Sequence, residues 1–213
     1  MRSLKSISTN SISILLPLYS HKSVLVSGTF LDEATGSRGD EQDGNFIVNE
    51  IKNKYKIQAL FVKVNLSNVK ECKKLISETV NYFGCINGLI NYAGILPVSS
   101  IIDTEENLFD EVFNINIKGA FFCTKFAIIA MLENVWGSIV NIGSLHAYGG
   151  DEDRAAYSVS KGALFTLTKH VAKNFAKYNI RANWITIDWV ATPGEIALRK
   201  NRQQYESHCQ SLD

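Results

Sequence analysis

The chain has no surplus of charge of either sign: 22 Lys and Arg stand against 21 Asp and Glu. Nucleic acids and anionic membrane surfaces select basic excess or basic clusters, so neither is expected as a partner. Any CxxC pair is missing as well. Cys72, Cys85, Cys123 and Cys209 are scattered, which leaves no zinc site or disulfide framework to read. The expectation is therefore a reducing, cytoplasmic compartment. No apolar run approaches the roughly 20 residues of a membrane-spanning helix, so no membrane partner is expected. Internal repeats and linkers of shifted composition are absent too. The 213 residues should then form one domain, residues 23–213, behind an N-terminal extension, residues 1–22. That extension lacks acids, holds Arg2, Lys5 and Lys22, and has a short apolar patch broken by Pro17. An organelle transit peptide shares the acid-poor, Ser-rich composition but carries more arginine. A frayed segment ahead of the first strand is the plainer expectation.

What is present alternates between two periodicities. Residues 23–27 (SVLVS) are a short β-branched run ending at Gly28, as expected of a buried strand. Residues 29–44 are polar and Gly-rich without usable period and predict a loop. Phe46, Ile47, Ile51 and Tyr55 recur at helical spacing, and residues 57–64 predict a strand. Ser67 is placed to cap a helix whose apolar face is Cys72, Leu75, Ile76, Val80 and Phe83. A strand closing at Asn91 follows, then a long helix over 104–132 capped by Thr104. Residues 138–142 (SIVNI) predict a strand, 155–178 a second long helix and 180–187 another strand. Strands alternating with helices predict an α/β domain with a parallel sheet covered on both faces.

The chemistry concentrates in Tyr157-Ser-Val-Ser-Lys161. On a helix, positions i and i+4 share a face, so phenol and ammonium lie one above the other. A free tyrosine titrates near pKa 10, and a fixed cation favours its phenolate. Such a tyrosine can exchange a proton with a substrate hydroxyl or carbonyl near neutral pH. Tyrosine and lysine four apart also occur by chance on surface helices, so the pair needs context. Ser144 supplies some: it stands just past the strand SIVNI, where open α/β sheets place their ligands.

With Ser144, Tyr157 and Lys161, further motifs complete a set that resembles the short-chain dehydrogenase/reductase family from about residue 46 to 195. Asn91-Tyr92-Ala93-Gly94 resembles the family's NNAG, with one change. Residues 113–119 (FNINIKG) resemble the segment that places the catalytic asparagine at Asn116. Residues 137–144 (GSIVNIGS) match the strand ending in the catalytic serine. The resemblance implies a Rossmann-like doubly wound sheet and interconversion of a small secondary alcohol and a ketone with NAD or NADP. Tyr157 would be the general acid/base and Ser144 would hold the substrate oxygen. Lys161 would lower the tyrosine pKa and bind the nicotinamide ribose. Asn116 would sustain a water relay, its carbonyl diverted from helix bonding. Gly28, Asn65, Asn91, Ala93, Gly94, Val190 and Thr192 fall at cofactor-lining positions. Ile187-Asp188 replace the family's usual Pro-Gly, and Asp188 either favours the oxidised cationic ring or turns to solvent. His146 either lines the substrate pocket or stands in water. The two long helices correspond to those of the family's dimer interface, so a homodimer through 104–132 and 155–178 is implied.

The resemblance breaks at the front. The family's glycine-rich turn brings backbone N–H groups and a helix N-terminus to the pyrophosphate. No such spacing follows Gly28, and Gly36 and Gly39 come too late. Only 18 residues separate Gly28 from Ile47, whereas a helix, a strand and two loops need roughly 24. The first crossover helix or the second strand is thus expected to be missing, and with it the residue that selects NAD or NADP. Asn65 also replaces the usual adenine-contacting aspartate. Beyond Gly194 one helical segment, 195–208, is expected where the family has a lid, a helix and a last strand. These departures support an alternative: a catalytically weak or inactive relative that serves as a binding or interaction protein, or an imperfect gene product.

Overall fold

Short apolar runs assemble the sheet. The computed structural model describes residues 11–18, 22–28, 31–32, 37–38 and 41–188. Strands β1 (Ser11–Leu18), β2 (Lys22–Gly28), β5 (Leu60–Val64), β6 (Gly88–Asn91), β7 (Gly137–Ile142) and β8 (Ile180–Ile185) form one six-stranded sheet. Two further two-residue strands, β3 (Leu31–Asp32) and β4 (Ser37–Arg38), pair with each other. The sheet order is β5-β1-β2-β6-β7-β8. From β2 to β8 every pairing is parallel, with Leu89 opposite Ile139 and Ile139 opposite Ala182. Burial on both faces explains why these central strands read as near-continuous apolar runs.

Helices cover both faces. On one, α2 (Val69–Phe83) buries Cys72, Leu75, Ile76 and Thr79, spaced three and four apart. It joins α4 (Ala120–Glu133) and α5 (Ala155–Phe175) in a single core with Val62, Leu89 and Ile139. On the other, α1 (Glu41–Tyr55) rests on Phe61, whose side chain points opposite to that of Val62. Gly44 permits that contact, because a β-carbon there would meet the Phe61 ring at 2.6 Å. The stretch Glu106–Glu133 is long and apolar enough by composition to cross a membrane, although no unbroken apolar run marks it. Half of its most apolar window is buried inside the fold, the position of a core helix.

The structure departs from the sequence reading chiefly at the front. Ser11–Leu18 is no frayed extension. It runs antiparallel to both β2 and β5, with Ile12 opposite Gly28 and Ser11 opposite Val64. In the doubly wound order 3-2-1-4-5-6, β2 takes position one, β5 position three, and β1 fills position two. The helix of the shortened crossover survives as α1, which starts at Glu41 inside the expected loop; the second strand is what is gone. Expected caps shift by one residue. Asn68, not Ser67, caps α2 by accepting from the Lys70 amide at 3.0 Å. Glu105, not Thr104, precedes α3 (Glu106–Phe113), while the Thr104 hydroxyl donates to the Ser100 carbonyl at 2.6 Å. The strand expected over 57–64 starts at Leu60. The segment expected over 195–208 lies outside the described residues.

Candidate active site at the carboxyl edge of the sheet

The long helix expected over 104–132 is interrupted. Between α3 and α4, Asn114–Gly119 is a π-helical turn. Such turns widen the helix, redirect carbonyls from the α pattern and recur at functional sites. The rearrangement falls where the carbonyl of Asn116 was expected to leave helix bonding. The Asn116 side chain, 1% exposed, is fully engaged. Its Oδ1 accepts from the Ile95 amide at 2.8 Å, and its Nδ2 donates to the Ile95 carbonyl and the Ser160 Oγ, both at 3.0 Å. The side chain thus fixes the loop after β6 against α5.

Lys161 and Tyr157 sit one turn apart near the start of α5. The Lys161 ammonium is 4% exposed, donates to the Ile142 carbonyl at 2.9 Å and lies 5.6 Å from the centre of the Tyr157 ring. Burial lowers its pKa from 10.5 to about 8, because the charged form loses hydration there. Gly94 stands beside both groups. A β-carbon on it would come 3.3 Å from Asn116 Oδ1 and 3.6 Å from Lys161 Nζ. The last position of the NYAG motif therefore allows close approach of backbone to the polar pair.

Ser144 follows β7, buried, and its Oγ accepts from the His146 amide at 3.2 Å. The segment after β8 secures this corner: Gly143 donates to the Ile185 carbonyl at 2.8 Å and Leu145 to that of Ile187 at 3.1 Å. His146 is not a bystander in water. Its ring meets the Tyr157 ring edge-on at 5.6 Å between centroids, and its Nε2 lies 3.9 Å from Asp151 Oδ2. The loop 149–154 is thereby linked to Tyr157. Asp188 is exposed, the solvent-facing alternative.

The structure brings Asn116, Ser144, Tyr157, Lys161 and Gly94 to one edge of the sheet. It does not bring every expected cofactor residue there with a free side chain. Asn91 is buried and donates to Asn141 Oδ1 at 2.7 Å and to Thr124 Oγ1 at 3.0 Å. Asn141 donates onward to Thr168 Oγ1 at 2.8 Å. Asn91 therefore braces β6, β7, α4 and α5. The Asn65 Oδ1 is taken by the Ser67 amide and hydroxyl, at 3.0 and 2.7 Å. Ala93 is buried behind the site, and Gly28 ends β2. Val190 and Thr192 lie outside the described residues. Sequence reasoning missed Ser160, Asn141 and Thr168, whose roles rest on contacts between distant segments; only Ser160, inside YSVSK, had a local signal.

Comparison with known proteins adds context. The family model of short chain dehydrogenases matches residues 35–203. A 3-oxoacyl-(acyl-carrier-protein) reductase of Aquifex aeolicus is 30% identical over 81% of this chain and 69% of its own length. A glucose and ribitol dehydrogenase homolog of Arabidopsis thaliana is 32% identical over 72% of this chain and 53% of its own. A Thermotoga maritima protein described as an uncharacterized oxidoreductase is 39% identical over 54% and 45%. The chain thus spans about half the length of several curated relatives it matches. A Sinorhizobium meliloti crystal structure that carries the description short-chain alcohol dehydrogenase superposes with a TM-score of 0.69 at 29% identity. That match covers 72% of this chain and 60% of the other.

Proposed function

Because the chain belongs to the short-chain dehydrogenase family, we propose that it interconverts a secondary alcohol and a ketone on a small substrate with NAD or NADP. The observation that carries this reading is the buried Lys161 ammonium one helical turn from Tyr157, with Asn116 and Ser144 at the same edge. The nicotinamide end of the site fits a dinucleotide. Among the described residues, Lys161 Nζ has one hydrogen-bond acceptor, the Ile142 carbonyl, which leaves N–H donors for ribose hydroxyls. The bound nicotinamide would supply or accept the hydride. Tyr157 exchanges the proton of the substrate oxygen, and Ser144 Oγ holds that oxygen in place. Lys161, charged below its pKa of about 8, favours the phenolate by its field. Asn116 holds the loop carrying Gly94 and Ile95 against α5 and keeps Lys161 in register.

Replacement of Tyr157 by Phe removes the proton carrier and keeps the ring. Turnover of any alcohol or ketone the protein accepts should fall at least about 10²-fold, the scale of a lost general acid/base. A Phe variant within a few-fold of the parent would overturn the mechanism. The front of the chain favours a second reading, a relative with weak or no turnover that binds a ligand or partner. In that case both proteins would be equally inert while the fold remains intact.

The assembly proposed is a two-fold homodimer through α4 and α5. Phe121 and Ile129 are about half exposed on α4, and Leu132 and Val159 extend the apolar surface. That surface faces away from the sheet, which is the pattern of a self-complementary interface. Light scattering at tens of micromolar should give twice the 23.7 kDa chain mass; the chain mass itself would refute the dimer.

A further inference from the structure

The loop that follows β6 fastens the start of α5 at two levels. Just ahead of the helix, the Ser99 amide donates to the Asp153 carbonyl at 2.9 Å, and the Ser99 carbonyl accepts from the Ala155 amide at 3.2 Å. The second bond satisfies one of the backbone donors that a helix start leaves unpaired. Farther into the helix, Ser160 is fully buried, and its hydroxyl is committed on both sides. It donates to the Tyr157 carbonyl at 2.7 Å and accepts from Asn116 Nδ2 at 3.0 Å. Asn116 in turn holds both backbone groups of Ile95. A line of hydrogen bonds thus runs from the loop at Ile95, through the π turn at Asn116, to the backbone of Tyr157.

We propose that Ser160 is a positioning residue for the proton transfer: its hydroxyl sets where the Tyr157 phenol stands relative to Ser144 and Lys161. This role rests on the alcohol–ketone reading above. Being fully buried, the hydroxyl acts through its two partners and not on a ligand. The direction of each bond is forced. A side-chain amide offers one oxygen and two N–H hydrogens. Ile95 takes the oxygen and one hydrogen, so the remaining hydrogen needs an acceptor, and Ser160 Oγ is that acceptor. Nδ2 has no lone pair to give back, so the Ser160 hydrogen goes to the Tyr157 carbonyl. The Asn116 amide then has one orientation, because a flip would set Oδ1 against the hydroxyl lone pairs and against the Ile95 carbonyl. Tyr157 lies between the fastenings at Ala155 and Ser160, and its own carbonyl ends the line. A displacement of about 1 Å at a reacting group is enough to cost about two powers of ten in rate.

The test is steady-state kinetics on the full chain with Ser160→Ala, Ser160→Thr, Asn116→Ala and the Ala/Ala double variant, each checked for folding by circular dichroism. Ser160→Ala removes only the hydroxyl and leaves one Asn116 hydrogen without its acceptor. Its kcat should fall roughly tenfold, the scale of a sub-ångström displacement. Its KM should stay within about twofold, because no binding contact is touched. Threonine, whose hydroxyl bonds the same kind of helical carbonyl, should return kcat to within a few-fold of the parent. In the Asn116→Ala background, Ser160→Ala should cost less than about twofold more, since members of one network are not additive. An Ser160→Ala variant with the parent's kcat, or full additivity in the cycle, overturns the proposal; the cycle decides even where threonine does not fit.

Amide hydrogen exchange supplies a readout without turnover. In Ser160→Ala the Ile95 amide should exchange at least about fivefold faster, while Leu164 and Val171 farther along α5 keep the parent's rates. Unchanged exchange at Ile95 overturns the fastening itself. A parent chain that turns over no alcohol or ketone overturns the proposed function and the catalytic part of this role with it, whatever the Ile95 amide reports.

Discussion

The two halves of the sheet differ in direction: one runs parallel throughout, and the other takes in an antiparallel strand. From β6 to β8, buried polar side chains tie strands to helices: Asn91 to Asn141 and Thr124, Asn141 to Thr168, Asn116 to Ile95 and Ser160, Lys161 to Ile142. Each group there satisfies another, and removing one strands its partner in low dielectric, which costs about 1–3 kcal/mol per orphaned group. In the front half, backbone pairing sets β1 between β2 and β5. Backbone hydrogen bonds read no side chain, so any strand of suitable pattern, run in either direction, fills the vacant position. Side-chain networks demand particular residues, whereas a ladder demands only a neighbour. The half from β6 to β8 keeps family-like residues, while β1, from ahead of β2 in the chain, fills the middle position of the front.

The largest expected effect comes from removing that neighbour. A chain lacking residues 1–18 should lose cooperative thermal unfolding, because β2 and β5 would both carry an unpaired edge in mid-sheet. A sharp transition within a few degrees of the full chain would show that β1 contributes little, and the comparison would collapse. Next is the cofactor. The front half offers β3 and β4 in place of a glycine turn opening a helix. Loss of two charge-assisted hydrogen bonds to pyrophosphate costs about 3–6 kcal/mol, roughly two to four powers of ten in affinity. Calorimetry with NADH and NADPH should therefore give millimolar or weaker binding. A low micromolar constant would mean that residues 29–40 build a phosphate site of another design.

The smallest effect sharpens the half that carries Lys161. Lys161 titrates near 8 in the folded chain against 10.5 for an ordinary lysine. A depressed pKa means the unfolded chain binds the proton more tightly, so stability rises as pH climbs from about 8 towards 10.5 and is lost on descent. Relative to Lys161→Met, the parent should gain roughly 3 kcal/mol over that window by denaturant titration. Turnover should move the other way, falling above pH 8 as the ammonium is lost. Parallel stability curves for parent and variant would show that Lys161 is solvated and uncharged chemistry is not at issue.

Legibility in the sequence followed the reach of each interaction. Tyr157 and Lys161 were readable because four residues on a helix fix their geometry, and Ser144 because it follows a recognisable strand. Gly94 and Asn116 were readable from motifs, though the role of the Asn116 side chain as a clip on Ile95 was not. That Asn91 also braces the strands was not readable, since its partners lie 33 and 50 residues away. The first strand did leave a trace: Ser11-Ile12-Ser13-Ile14 alternates with the period of two that strands show. Its acid-poor, Ser-rich surroundings resembled a targeting or frayed segment, and composition outweighed periodicity. Asn68 and Glu105 took the caps expected at Ser67 and Thr104, a one-residue margin that backbone dihedrals decide and composition does not.

A sheet order has a history as well as a geometry, because its strands must find one another in time. In an all-parallel sheet, each pairing waits for a crossover helix and a long loop to close. The pairing of Val24 with Gly88 is of that kind. The pairing of Leu18 with Lys22 is not: three residues separate them, and the hairpin can form before any helix does. Short closures cost less chain entropy and lower contact order, which speeds folding. The rebuilt front would then be the first part of the sheet to assemble, a two-stranded template onto which β5 and β6 add from either side.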